Sequence, residues 1–167
     1  MAKQGTLTRE YLALIEGALT PPIGTIDAPI ARALPSIILR RVSPDGKPAC
    51  THYKTEWTNG SHTLLRLQLE TGRTHQIRAH MKHIGHPLFA DTRYGGDKIL
   101  WGNQFSRYKQ FVHNCLTLCP RQALHAKTLG FVHPVTGEEM LFDSELPSDL
   151  SELLDRWRTY AAQVDSE

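Results

Sequence analysis

The sequence predicts an α+β domain built from antiparallel hairpins with interspersed helices. Three observations carry this: two strand–turn–strand patterns, one from Ala49 to Leu69 and one from Leu124 to Phe142; a helical apolar stripe at the C-terminus; and a second helical stripe in the middle. With 167 residues and 40% hydrophobic content the chain can bury the core of one domain, so residues 1–167 are read as a single unit with a flexible stretch at 1–9. No basic-then-apolar leader or bilayer-length apolar run is present, which makes the cytoplasm the expected location. Three cysteines, Cys50, Cys115 and Cys119, form no disulfide framework and fit free thiols in a reducing compartment. The formal net charge is only +2, yet clustered arginines and nine histidines permit a local basic surface and a nucleic-acid partner.

Taken in order, Glu10 to Gly17 reads as a strand closed by glycine, with a short helix as the alternative. Pro21, Pro22 and Gly24 make a loop. Ile26 to Ile30 reads as a short edge segment interrupted by Pro29, and Ile37 to Ser43 is β-branched and basic. Pro44 to Lys47 is a turn. From Ala49 to Trp57, residues Thr51, Tyr53, Thr55 and Trp57 alternate with Cys50, His52, Lys54 and Glu56, the pattern of a half-exposed strand. Asn59-Gly60 then predicts a type I′ hairpin turn into His62–Leu69, where Leu65, Leu67 and Leu69 share one face. Further on, Trp101 to Asn114 reads as a loop or short helix. Leu124 to His133 and Met140 to Phe142 form a second hairpin around the turn His133 to Gly137. The chain closes on an amphipathic helix, with Ser148 near its start and Leu150, Leu153, Leu154 and Trp157 in an i, i+3, i+4, i+7 stripe.

The first hairpin delivers the chain to Glu70–Gly96, ETGRTHQIRAHMKHIGHPLFADTRYGG, where polar and basic residues crowd together and apolar residues recur at helical spacing. If Thr74 to Ile84 is helical, with Gly85 as its C-terminal cap, Ile77, Met81 and Ile84 form the buried stripe. Gln76, His80 and His83 flank that stripe on one side, and Thr74 and Arg78 on the other. Arg78 therefore sits at the core margin, and a permanently charged guanidinium there needs an acceptor. A backbone carbonyl in a purely structural role and a partner in a functional site are both open from spacing alone.

No metal site is expected. His75, His80, His83 and His86 lack a ligand spacing on the wheel, HExxH is absent, and Cys115 and Cys119 read as core thiols among apolar neighbours. Neither GxGxxG nor a Walker pattern is present.

The run from Leu69 to Gly95, with TGRTHQIR, then H-x-x-x-IGHP, then Asp91 and Tyr94-Gly95, resembles the signature of the RluA-type pseudouridine synthases. The likeness extends to Tyr11–Gly17, to Gly46-Lys47-Pro48-Ala49 with Thr51, and to Arg121–Ala126 with Phe131-x-His133-Pro134, so it covers nearly the whole chain. It implies a pseudouridine synthase-like fold with a mixed, mainly antiparallel sheet, incomplete on its N-terminal side. It also implies isomerisation of uridine in ribosomal or transfer RNA, without metal or organic cofactor. By the same resemblance, Tyr11 matches the tyrosine that packs on the target base and stands to take the C5 proton, with a core-filling tyrosine as the alternative. Arg78 matches the arginine that pairs with the catalytic aspartate, and Ile77 belongs to the apolar floor under the base. Arg73, His75, Gln76 and Lys82 are RNA contacts or else solvated surface groups.

One departure stands against these matches. The family's aspartate lies in an HRLD-x-x-(T/S)-(S/T)-G motif upstream of the Tyr11 segment, and nothing from Met1 to Glu10 resembles it. Asp27, Asp91 and Asp97 do not take over the role by resemblance. The chain is thus expected to represent the C-terminal half of the catalytic domain, to be inactive alone, and either to associate with itself or to require a missing half. The alternative is a non-catalytic RNA-binding or scaffold module. Arg78 is expected to be held by a substitute: a backbone carbonyl, water, an anion, or a carboxylate of another copy.

Overall fold

The computed structural model describes residues 7–34, 36, 39–59, 61–96 and 106–165. Among these residues eight strands and three α-helices follow one another: β1 (Leu7–Glu16), β2 (Ile23–Asp27), β3 (Ile30–Arg32), β4 (Arg40–Val42), β5 (Cys50–Thr58), β6 (His62–Leu69), α1 (Gln76–His83), α2 (Ser106–Leu118), β7 (Leu124–Val132), β8 (Glu139–Asp143) and α3 (Ser148–Asp165). Six of the strands form one sheet in the order β2-β5-β6-β1-β7-β8, and β3 and β4 pair separately. All of these pairings are antiparallel. Among the described residues the sheet is therefore purely antiparallel, not mixed.

The first strand begins at Leu7, earlier than Glu10, so residues 7–9 of the stretch expected to be flexible are paired with β7. Alternation explains the central hairpin. Leu65 and Leu67 are fully buried on one face of β6, with Leu69 beside them, against Ala13, Ile15, Ile77, Met81 and Leu88. The opposite face carries Leu64, which joins Leu12, Leu14, Phe89 and the helical residues Val112, Cys115, Leu153 and Trp157. Both faces of the sheet are covered there, α1 on one and α2 with α3 on the other. At the hairpin end Asn59 Oδ1 accepts from the amides of Ser61 and His62 at 3.0 and 2.8 Å, which closes the loop; Gly60, and with it the turn type, lies outside the described residues.

The closing helix is where the apolar stripe placed it, with Leu150, Leu153, Leu154 and Trp157 all buried. The region expected to be a loop or short helix contains α2, 13 residues long; Trp101 to Phe105 and the side chain of Tyr108 are outside the described residues. Cys115 and Cys119 are core thiols, and burial pushes the Cys115 thiol up to about 12. No helix among the described residues is long and apolar enough to cross a membrane.

A polar pair lies inside the packed region. Glu16 and His62 are each 1% exposed and approach to 3.1 Å, close enough for an ion pair though not aligned as a hydrogen bond. The His62 ring stacks on Trp157 with centroids 3.9 Å apart and meets Phe89 edge-on. Burial raises the Glu16 pKa against the opposing pull of His62.

Candidate active site

Helix α1 starts at Gln76, two residues after Thr74, because His75 adopts the left-handed conformation (φ 52°, ψ 27°) at its N-cap. That conformation costs a non-glycine residue energy and persists where neighbours over-determine it. They do so here. His75 Nδ1 lies 2.8 Å from the Tyr94 hydroxyl, and Arg78 Nη1 lies 3.3 Å from His75 Nε2. Since a guanidinium only donates, Nε2 accepts and the His75 proton sits on Nδ1, donated to Tyr94. Burial, and then the Arg78 charge, lower the His75 pKa, in keeping with a neutral ring. The Tyr94 oxygen also accepts from the Arg40 amide at 3.0 Å, and burial raises its pKa.

Arg78 is held bidentately by Asp91. Its Nε donates to Oδ2 at 2.9 Å and its Nη2 to Oδ1 at 2.8 Å, while the guanidinium carbon lies 4.8 Å from the Tyr94 ring centroid. The side chains are 11% and 1% exposed, so this is a nearly dry ion pair. The wheel's demand for an acceptor is met, but by a carboxylate of the same chain rather than by any of the substitutes expected. Asp91 is brought 13 residues along the sequence by a tight loop. Ala90 is left-handed (φ 64°), and the amides of Tyr94 and Gly96 both donate to the Asp91 carbonyl. A β-carbon on Gly96 would collide with the Leu88 carbonyl, so only glycine closes this loop.

The other face of α1 is fixed by a saturated polar chain. Gln76 is 2% exposed; its Oε1 accepts from Thr71 Oγ1 and the Arg73 amide, and its Nε2 donates to the Cys50 carbonyl and Thr51 Oγ1. Thr51 in turn donates to His80 Nδ1, and His80 Nε2 donates to the Ala28 carbonyl, both at 2.8 Å. Burial lowers the His80 pKa. Gln76 thus lies in the interior with its bonding groups occupied, rather than on an RNA-facing surface, and His75 likewise has both nitrogens engaged. Lys82 is exposed on the helix, and Arg73 is exposed with its Nε on the Pro48 carbonyl at 2.8 Å.

Ile77 is buried in the same apolar cluster against which the half-buried Tyr11 packs, together with Leu67 and Leu69. Tyr11 sits at a β-bulge, where the β1–β7 register shifts between Glu10 and Tyr11. Such irregularities re-aim a side chain out of the regular alternation. Beside the Arg78 network runs a cleft of about 410 Å³ whose charged lining is Arg32, Arg40, Lys47 and Arg73 against a single Asp45. Arg40 links the two, through its amide to Tyr94 and its residue in the cleft wall. The sequence signalled the cleft only as a basic β-branched stretch, because its cations come from four separate segments.

The sequence profile of the family described as RNA pseudouridylate synthase matches residues 1–83. The RNA pseudouridine synthase YjbO of Bacillus subtilis, itself uncharacterised, is 45% identical over 152 residues, and ribosomal large subunit pseudouridine synthase D of Haemophilus influenzae is 47% identical over 148. The chain belongs to the RluA-type RNA pseudouridine synthase family. The two alignments take in 91% and 89% of this chain but 47% and 44% of those relatives, so the chain spans less than half their length. In three dimensions it is similar to human RNA pseudouridylate synthase domain containing 4, with a TM-score of 0.64 at 23% identity, covering 91% of this chain and 62% of that one. Human RNA pseudouridylate synthase domain containing 1 gives a TM-score of 0.63. At that identity the likeness shows the shared fold alone.

Proposed function

We propose that this chain supplies the arginine-bearing, RNA-facing half of a pseudouridine synthase that isomerises uridine in ribosomal or transfer RNA. The observation that carries the reading is the Arg78–Asp91 pair: a nearly dry guanidinium held in bidentate geometry beside a basic cleft. In the proposed reaction Arg78 orients the catalytic aspartate, Tyr11 supports the detached base and takes its C5 proton, and Ile77 floors the base. Arg73, with the other cations of the cleft, positions phosphates. Asp91 holds the guanidinium through both oxygens and positions Arg78; it is not proposed as the nucleophile, because it does not lie in the HRLD context of the family's aspartate.

These 167 residues contain no HRLD segment, so by themselves they are proposed to bind RNA and not to turn it over. Four cleft cations against one carboxylate also favour a second reading, a module that binds RNA without chemistry. Two measurements on unmodified ribosomal RNA separate the outcomes. Affinity should fall steeply with salt, and Arg73→Ala with Lys47→Ala should flatten the slope by about one unit per lost contact. Pseudouridine should not appear with the chain alone. Pseudouridine formed by the chain alone contradicts the half-site reading, and salt-independent or absent binding contradicts an RNA role.

A further inference from the structure

Strand β5 places Cys50 and His52 on its outer face, two residues apart, and β6 ends where Glu70 donates its amide to the Cys50 carbonyl. Their three donor atoms lie within 4.8 Å of one another, the one such group among the described residues. Cys50 Sγ is 3.8 Å from His52 Nε2, and Glu70 Oε1 is 2.8 Å from the same nitrogen. The other ring nitrogen, Nδ1, is 2.8 Å from Thr25 Oγ1 on the neighbouring strand β2.

This arrangement converges instead of relaying. A nucleophilic relay would set the thiol on one imidazole nitrogen and the carboxylate on the other; here both meet Nε2. The thiol is moreover not activated, since burial, helped by Glu70, pushes it up to about 11. One thiolate, one imidazole and one carboxylate around a common point, with a hydroxyl fixing the remote nitrogen, are the donors and outer support that suit a borderline-soft divalent ion. Magnesium and calcium prefer all-oxygen sets. His52 and Glu70 are each more than a third exposed, so an ion has access and solvent can fill a fourth position.

We propose that Cys50, His52 and Glu70 form a zinc-type metal site. Binding at neutral pH releases one proton, that of the Cys50 thiol. The His52 proton moves from Nε2 to Nδ1, where Thr25 Oγ1 accepts it, and the thiolate and carboxylate together balance the ion's two charges. A metal there ties the start of β5 to the end of β6. The Cys50 amide also donates to Thr71 and the Cys50 carbonyl accepts from Gln76, so the ion would brace the loop that carries Arg73.

The test is titration of the purified, reduced chain with Co2+ as the probe, followed by displacement with Zn2+. A thiolate-to-cobalt charge-transfer band and the visible bands of four-coordination should appear and then vanish. They should persist in Cys115→Ser and Cys119→Ser and be lost in Cys50→Ser, while Thr25→Val weakens binding about tenfold by freeing the imidazole. Circular dichroism verifies that each variant folds. Should Cys50→Ser not fold, Glu70→Gln at the exposed carboxylate must lower Co2+ affinity at least as much as Thr25→Val. No charge-transfer band at saturating Co2+, a band that survives Cys50→Ser, or affinity indifferent to Glu70→Gln would overturn the site.

Discussion

Arg78 shows how far a single residue can be read. Helical periodicity alone placed its charge at the edge of the core and required an acceptor, and the structure supplies one. Which acceptor was beyond the sequence, because Asp91 reaches it through a loop whose closure depends on Ala90 and Gly96 rather than on any periodic pattern. His75 illustrates the reverse. Its left-handed backbone is set by contacts with Arg78 and Tyr94, so local pattern extended the helix two residues too far. Breaking the pair from one side should be costly: Arg78→Ala leaves Asp91 buried and uncompensated, and chemical denaturation should show a loss of about 3–5 kcal/mol. Arg78→Lys should fall in between, since an ammonium cannot reproduce the fork. The histidines predict a pH response. The folded-state pKa values of His75 and His80 lie below the ordinary 6.5, so as pH falls through that value the unfolded chain takes up protons that the folded chain refuses. Stability should therefore drop on acidification from about pH 7.5 to about 5.5, more steeply than in His75→Asn, whose side chain tolerates the left-handed backbone and does not titrate. Equal slopes in the two proteins would contradict the neutral, half-buried His75. Glu16 acts in the opposite sense, its raised pKa favouring the protonated folded form, which is why the comparison rests on the variant.

At the scale of elements, β1, the β5–β6 and β7–β8 hairpins and the closing helix were legible because burial on one face imposes a period that sequence displays directly. Leu65, Leu67 and Leu69 on β6 and the Leu150–Trp157 stripe on α3 are the clearest cases. By contrast, the stretch read as a loop at Pro21–Gly24 and one edge segment at Ile26–Ile30 holds two strands, β2 and β3, parted at Ala28-Pro29. Helix α2 was legible only as a loop or short helix: Val112 and Cys115 are buried and Phe111, Leu116 and Leu118 pack beside them, but no one cap or turn signal in the sequence fixes where this helix begins. Trp157 is the keystone of the α3 contact, fully buried against His62, Phe89 and Phe111. Trp157→Ala should cost about 3–5 kcal/mol, and Trp157→Phe less than half of that, read from denaturant midpoints. A small loss for the alanine variant would mean that α3 contributes little to the fold. The start of that helix is anchored by Arg121, which grips Asp149 at 3.0 and 3.1 Å and also donates to the Gln122 and Leu124 carbonyls. The pair holds the Asp149 pKa below the ordinary carboxylate value, so its contribution is present at neutral pH and lost as pH falls through the lowered pKa.

For the whole molecule, the central feature is the nearly dry Arg78–Asp91 pair set beside a basic cleft. Strand β8 ends the sheet with Leu141 71% and Phe142 54% exposed; as neighbours in a strand they point to opposite faces, so both faces are open at that edge. Concentration-dependent association of the isolated chain is expected, and Leu141→Lys should shift sedimentation toward monomer; an unchanged distribution would exclude this edge. The basic cleft, the Arg78 network and the bulge at Tyr11 are assembled without help from any other polypeptide, and this makes complementation feasible. The most direct measurement supplies a polypeptide carrying the HRLD segment in trans and scores pseudouridine in unmodified ribosomal RNA by mass spectrometry. The half-site reading predicts product only when both polypeptides are present and none when this chain carries Arg78→Ala. Product from this chain alone, or complementation indifferent to Arg78, would contradict it.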